Sequence, residues 1–195
     1  VLAKGSEYWI LGSLALTAFV AFFTPYLYVG ILITIFLLVF FRDPERLSES
    51  HDPTDVVSPA DGRVLKIQDN KLSIFMNIHN VHVNRSPVDG EVVDVQYHKG
   101  GRVPAFFKDS DRNERNMITI HTRIGNVIVT QISGAVIRRI VCYVKQNEMV
   151  TRGQRIGMIR FGSRVDVVLP LNYSFIVSTG QKVKAGETTI AKLLK

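Results

Sequence analysis

His79-Asn80-Val81-His82 places two imidazoles three residues apart, with Asn77, Asn80 and Asn84 around them. On a helix that spacing puts both rings on one face; on extended backbone it puts them on opposite faces. The asparagines favour an irregular loop instead. Two titratable rings in a loop between apolar strands suit general acid and general base work near neutral pH. Taken alone, a pair of surface histidines is the plainer reading. A metal site is disfavoured, because no Cys, Glu or third His follows at ligand spacing. Asp61, between Pro59-Ala60 and Gly62, reads by itself as a turn aspartate capping its own backbone. Ser163, directly after Gly162, stands between two apolar runs, and Gly-Ser is a common turn dipeptide.

A polar, basic loop spans Gly101–Asn116 and carries Phe106 and Phe107 side by side. Adjacent phenylalanines in a long loop cost solubility unless they are buried or meet lipid. One reading is core packing. The other is a substrate loop, with Phe106 and Phe107 on acyl chains and Arg112 or Arg115 on a phosphate. Nucleic acid is not expected as a partner, since no RNP, KH or helix-turn-helix pattern accompanies the basic residues.

These residues need elements to hold them. The chain has 195 residues, 46% hydrophobic, with a net charge of +7. That length allows one domain of ordinary size plus an appendage. The apolar residues crowd the N-terminus: no charge occurs from Trp9 to Phe41. Pro25 divides this run into Trp9–Thr24 and Tyr26–Phe41, each just short of the roughly 17 residues a spanning helix needs at minimum. The residue before a proline is biased away from helix. A helical hairpin turning at Thr24-Pro25 is therefore preferred over one long kinked helix. It leaves Lys4 and Arg42/Arg46 together on what the positive-inside tendency makes the cytoplasmic face. The basic excess suits an anionic bilayer surface.

After Pro44 the pattern changes. Ser48–Pro53 reads as a linker. Short Val- and Ile-rich runs then alternate with turn signals: Arg63–Ile67, Leu72–Asn77, Gly90–Gln96, Met117–Thr122, Asn126–Ile132, Ile137–Val144, Gly157–Ile159, Arg164–Val168, Phe175–Val177 and Thr189–Ala191. Many short strands without a long amphipathic helix argue for an all-β barrel or sandwich. Gly-flanked turns at Asp61–Val64, Val150–Gly157 and Gly180–Glu187 look like pieces of a lipoyl-type barrel. The expectation is a mainly β protein: an N-terminal apolar helical hairpin over 1–47, then a barrel-sandwich-hybrid-like (lipoyl-like) domain over 48–195. The one cysteine, Cys142, lies in an apolar run and reads as a small buried hydrophobe.

In their order along the chain, Phe40-Phe41-Arg42-Asp43-Pro44, Ser58–Gly62, His79–His82, Asn113-Glu114-Arg115 and Phe161–Pro170 resemble the short form of the phosphatidylserine decarboxylase family, including the archaetidylserine decarboxylases. The resemblance covers nearly the whole chain. One departure is Phe161-Gly162-Ser163-Arg164, where longer members carry Leu-Gly-Ser-Thr.

The resemblance implies a self-cleaving proenzyme. The Ser163 hydroxyl attacks the Gly162 carbonyl, with Asp61, His82 and Ser163 forming the cleavage triad, the carboxylate orienting the imidazole that takes the proton. Elimination then frees 1–162 and leaves a pyruvoyl group, derived from Ser163, at the head of 163–195. That ketone condenses with the amine of a serine phospholipid and accepts the electrons as carbon dioxide leaves. His79 returns the proton. The product is an ethanolamine phospholipid, and no metal is required. A homodimer is a reasonable assembly, and a cell-membrane location with the β domain on the cytoplasmic side is implied. The rival from another class is a non-enzymatic membrane-tethered adaptor with a lipoyl-like domain, which has no need for Asp61, His79, His82 and Ser163.

Overall fold

A computed structural model describes residues 1–21, 27–101, 113–134, 140–160 and 163–194. The chain divides into two compact units, Val1–Glu45 and Arg46–Lys195.

The first unit holds two helices, α1 (Glu7–Val20) and α2 (Leu27–Phe40). Glu7 sits in the first turn of α1, where a negative charge complements the helix dipole. The helices pack antiparallel along a seam of small and hydroxyl side chains. The Thr17 and Thr34 hydroxyls are 3.2 Å apart. A Cβ on Gly30 would come within 2.8 Å of Thr17 Oγ1, so the glycine permits the close approach. Such seams are how helices associate where no hydrophobic contrast drives them together. At the other end the Ala3 N–H donates to Phe41 O at 2.8 Å. Leu11, Phe19 and Leu32 point outward and are more than 60% exposed. Each helix has 14 residues and so runs about 21 Å. No described helix is long and apolar enough to cross a membrane. The turn expected at Thr24-Pro25 lies outside the described residues.

The second unit is β throughout. In chain order its strands are β1 (Val56–Val57), β2 (Gly62–Gln68), β3 (Lys71–Met76), β4 (Val83–Arg85), β5 (Gly90–His98), β6 (Arg115–Thr122), β7 (Gly125–Ile132), β8 (Ile140–Cys142), β9 (Glu148–Val150), β10 (Arg155–Ile159), β11 (Ser163–Val168), β12 (Tyr173–Phe175), β13 (Lys182–Val183) and β14 (Thr189–Leu193). Eight form one sheet in the order β13-β2-β3-β11-β7-β6-β5-β9, flanked by three-stranded sheets β1-β14-β12 and β4-β10-β8. The named pairings are all antiparallel. The core is the inward alternation of the large sheet: Val64, Leu72, Ile74, Ile118, Ile120, Val127, Val129, Val165 and Val167 are buried together. Period-two placement of branched residues does this directly, since every second side chain faces the same side.

The protein is thus mainly β with antiparallel sheets and two N-terminal helices. Some details differ from the sequence reading. The run expected at Phe175–Val177 is displaced to Tyr173–Phe175. Cys142 is exposed, not buried. It ends the three-residue β8, on the margin of a small sheet, and its thiol faces the carbonyl of Val144 at 3.2 Å. The stretch read as a linker is tied down. Arg152 donates to the carbonyls of Asp52, of Asp55 at 3.0 Å and of Ser50 at 3.1 Å.

Candidate active site

The end of β3 organises the site. Met76 lies opposite Ser163, the first residue of β11, and Phe75 lies opposite both Arg164 of β11 and Arg63 of β2. The starts of β2 and β11 therefore flank the end of β3. Neighbouring strands sit about 4.8 Å apart, so two spacings, roughly 10 Å, separate these backbones. Gly62 opens β2 here, and a Cβ on it would stand 2.2 Å from the Phe75 carbonyl oxygen. Only glycine fits, and it brings the preceding Asp61 to the margin of the sheet.

Asp61 is buried, and each of its oxygens accepts one hydrogen bond. Oδ1 accepts from the Ala185 N–H at 2.8 Å, and Oδ2 accepts from Arg46 Nη2 at 3.1 Å. The turn before it is self-braced, with the Ser58 hydroxyl donating to Ala60 O at 2.7 Å. The Arg85 N–H donates to Pro59 O at 2.9 Å, which joins the turn to β4.

His82 immediately precedes β4 and is wholly buried, whereas His79 is exposed. The His82 Nδ1 lies 2.9 Å from Asn80 O. A carbonyl only accepts, so Nδ1 carries the hydrogen and the neutral ring keeps its basic lone pair on Nε2. The Ile159 N–H donates to His82 O at 3.2 Å, which ties this residue to the strand leading toward Ser163. His79 sits in a turn closed by the Asn77 N–H on Asn80 Oδ1 at 2.8 Å. The two rings thus occupy opposite environments.

Ser163 is buried, and its hydroxyl has no hydrogen-bond partner among the described residues; the same holds for Ser133. Arg164 lies opposite Ile132, so one further step in register brings Ser133 alongside Ser163. A buried hydroxyl without a partner costs about 1–3 kcal/mol. Most buried polar groups in native proteins are paired, so each exception calls for an explanation of its own.

Beneath these residues runs a chain of buried amides that no sequence pattern announced. Asn116 Nδ2 donates to Gln131 Oε1 at 3.0 Å, Gln131 Nε2 donates to Asn84 Oδ1 at 2.8 Å, and Asn84 Nδ2 faces the Met76 sulfur at 3.6 Å. It bolts β4 to the sheet just below Ser163. Gly157 makes room for it, since a Cβ there would come within 2.6 Å of Gln131 Nε2. On the other face of β11, Asp166 takes a bidentate pair from Arg164 at 2.9 and 3.0 Å and a third contact from Lys71 at 2.7 Å.

Among the residues singled out from sequence, Ser163 opens β11 beside the end of β3, Gly62 carries Asp61 to the same margin, and His82 is tied through its carbonyl to Ile159 at the end of β10. The hydrogen bonds of Asp61 go to Arg46 and Ala185, not to His82. Arg115 opens β6 opposite Ile132 and His98. Gly162, Phe106, Phe107 and Arg112 lie outside the described residues. No group of three or more His, Cys, Asp or Glu among the described residues is arranged to hold a metal ion. Arg46 and Gln131 were missed, because no local pattern links either to its partners, Asp61 and Glu187 for the one and Asn116 and Asn84 for the other.

Comparison with known proteins matches residues 33–191 to the phosphatidylserine decarboxylase family model. A protein of Methanosarcina acetivorans described as an archaetidylserine decarboxylase proenzyme is 48% identical over 203 residues, covering 99% of this chain and 97% of that one. Its counterpart in Methanosarcina mazei is 49% identical over the same coverage. A phosphatidylserine decarboxylase proenzyme of Syntrophus aciditrophicus is 45% identical over 170 residues, covering 80% of this chain and 79% of that one. With the family model spanning most of the chain and relatives matched nearly end to end, the chain belongs to the phosphatidylserine decarboxylase family.

Proposed function

We propose that this chain is a self-cleaving proenzyme whose product decarboxylates a serine-headgroup phospholipid, either phosphatidylserine or archaetidylserine. The observation that carries this reading is the buried hydroxyl of Ser163 at the head of β11, which has no hydrogen-bond partner among the described residues.

His82 Nε2 takes the Ser163 proton, and Oγ attacks the Gly162 carbonyl carbon. The Gly162–Ser163 C–N bond breaks and an ester replaces the amide. Loss of the Ser163 α-proton then breaks the Cβ–Oγ bond, and 1–162 departs as a carboxylate. Water replaces the nitrogen of the remaining dehydroalanine, which leaves as ammonia. A buried hydroxyl with no competing hydrogen bond among the described residues fits this conversion to a pyruvoyl group. Once formed, that ketone supplies an electron sink for loss of carbon dioxide from an amine-bearing substrate. His79, exposed at the turn, delivers the proton to the product carbon. Asp61 supports the charge on His82 during cleavage.

The apolar outer faces of α1 and α2 support their reading as a hairpin resting in the membrane, with the β unit on the cytoplasmic side. Arg115, with Phe106, Phe107 and Arg112, is assigned to the lipid. A homodimer and a lipoyl-like description of the β unit belong to the same proposal.

The test is the intact mass of the denatured protein, wild type and Ser163→Ala, followed by decarboxylation of ester-linked and ether-linked serine lipids in vesicles. Two pieces, 1–162 and a blocked 163–195, with a whole chain for Ser163→Ala, are expected. A wild-type chain that stays whole in the presence of lipid would overturn the reading in favour of a tethered adaptor.

A further inference from the structure

We propose that Arg46 is a positioning residue for self-cleavage, acting through Asp61; this rests on the cleavage reading above. Its side chain is only 8% exposed. The guanidinium spans two carboxylates at once: Nη2 reaches Asp61 Oδ2 at 3.1 Å, and Nη1 reaches Glu187 Oε1 at 2.8 Å. Asp61 is thereby gripped from two sides, by Arg46 on one oxygen and by the Ala185 N–H on the other. Arg46 precedes the turn that carries Asp61, whereas Ala185 comes from near the other end of the chain.

A buried carboxylate stays ionised only with partners, and its plane stays fixed only when both oxygens are held. Each oxygen accepts twice, so Arg46 and Ala185 leave accepting capacity for a third donor or a nearby imidazolium. Arg46 therefore does not compete with His82 for Asp61; it sets the direction in which the remaining lone pairs point. Arginine suits the task because a planar fork can serve two carboxylates in one geometry, whereas a lysine ammonium is a point charge that favours one. Glu187 holds the far side of the fork and carries its own contact to Lys184 at 3.1 Å, so it steadies Arg46 without touching Asp61.

That asymmetry supplies the control. Arg46→Gln removes the charged fork from both carboxylates, and Glu187→Gln takes the charge from the partner that does not touch Asp61. The full chain is made by cell-free translation with anionic vesicles, and the cleaved fraction is followed in time for wild type, Arg46→Gln, Arg46→Lys and Glu187→Gln. Thermal unfolding is recorded for each change in the Ser163→Ala background. Arg46→Gln is expected to slow cleavage roughly 10- to 100-fold, the scale on which loss of alignment acts. Glu187→Gln is expected to stay within about threefold despite its own loss of stability. Equal slowing in the two variants, or wild-type cleavage in Arg46→Gln, would overturn the proposal. Should Arg46→Gln lack a thermal transition, Arg46→Lys is read instead: slowing beyond Glu187→Gln upholds the proposal, and slowing equal to it or less overturns it. A wild-type chain that never cleaves refutes the self-cleavage reading itself, whereas the Arg46 proposal fails only against a wild type that does.

Discussion

Replacing Gln131 with Leu tests whether the buried amide chain holds the site together. The side chain is wholly buried and makes one hydrogen bond from each end, to Asn84 at 2.8 Å and from Asn116 at 3.0 Å. Leucine is close in volume, so the cavity contribution is small. What remains is a bare Asn84 carbonyl and a bare Asn116 N–H, both in dry surroundings. At about 1–3 kcal/mol for each stranded group, the expected loss is roughly 2–6 kcal/mol. That is a large part of the 5–15 kcal/mol typical of a whole domain. For a chain of this size each kcal/mol moves Tm by about 2–4 °C, which gives a fall of roughly 4–24 °C. The measurement is thermal unfolding in the Ser163→Ala background, so that both samples are uncut. Amide exchange at Val83–Arg85 should rise at the same time, because Asn84 anchors that strand. A Tm within about 2 °C of the parent, with exchange at β4 unchanged, would refute the reasoning.

Asp166→Asn should cost about 3–5 kcal/mol in urea unfolding, because it leaves the Arg164 guanidinium buried beside a neutral partner. Lys71→Ala, at a side chain 42% exposed, should cost less than about 1 kcal/mol; comparable losses would contradict the view that burial decides the worth of these pairs. Gly62→Ala drives a methyl into the Phe75 carbonyl and should lower stability by about 1–3 kcal/mol or more; an unchanged unfolding midpoint would count against the close approach. Burial pushes the Glu187 carboxyl up, but hydrogen bonds from Lys184 and Arg46 outweigh it and hold the group below its ordinary value of 4.5. A depressed folded value means that the stabilisation is fully present above the unfolded value and fades as pH falls through the folded one. The stability gap between the parent and Glu187→Gln should therefore be present at pH 7 and close in acid, and a gap independent of pH would refute the assignment.

The large sheet was legible because it is written in local alternation. Leu72, Ile74, Val127, Val129, Val165 and Val167 announce their strands without help from elsewhere. The strands missed, at Val56–Val57, Val83–Arg85, Glu148–Val150 and Lys182–Val183, are two or three residues long and carry no period. Asn84 and Arg85 are buried for the hydrogen bonds they make, a reason no hydropathy pattern contains. Cys142 misled because its apolar neighbours suggested a core, while the position at the end of a short strand exposes it. At the site, Ser163, Asp61 and the two histidines could be picked out through motif resemblance. Their separation into a buried His82 and an exposed His79 depends on where β4 begins. Arg46 was invisible as a partner of Asp61, since the Ala185 and Glu187 contacts that complete its setting come from the far end of the chain.

β11 is an interior strand, paired from Ser163 to Val168 with β3 and from Arg164 to Val168 with β7. The same C-terminal stretch also supplies β14, which lies between β1 and β12. A break in front of Ser163 would thus leave every ladder of the fold in place, and two polypeptides would share one hydrophobic core. Folding, however, would have changed order. The uncut chain reaches its native state by a first-order process, independent of concentration. A denatured, cut protein would have to recover that state through a second-order encounter between a long fragment and a short one. The break would act as a ratchet: almost without effect on the native state, yet making each later unfolding event increasingly hard to reverse as the protein is diluted.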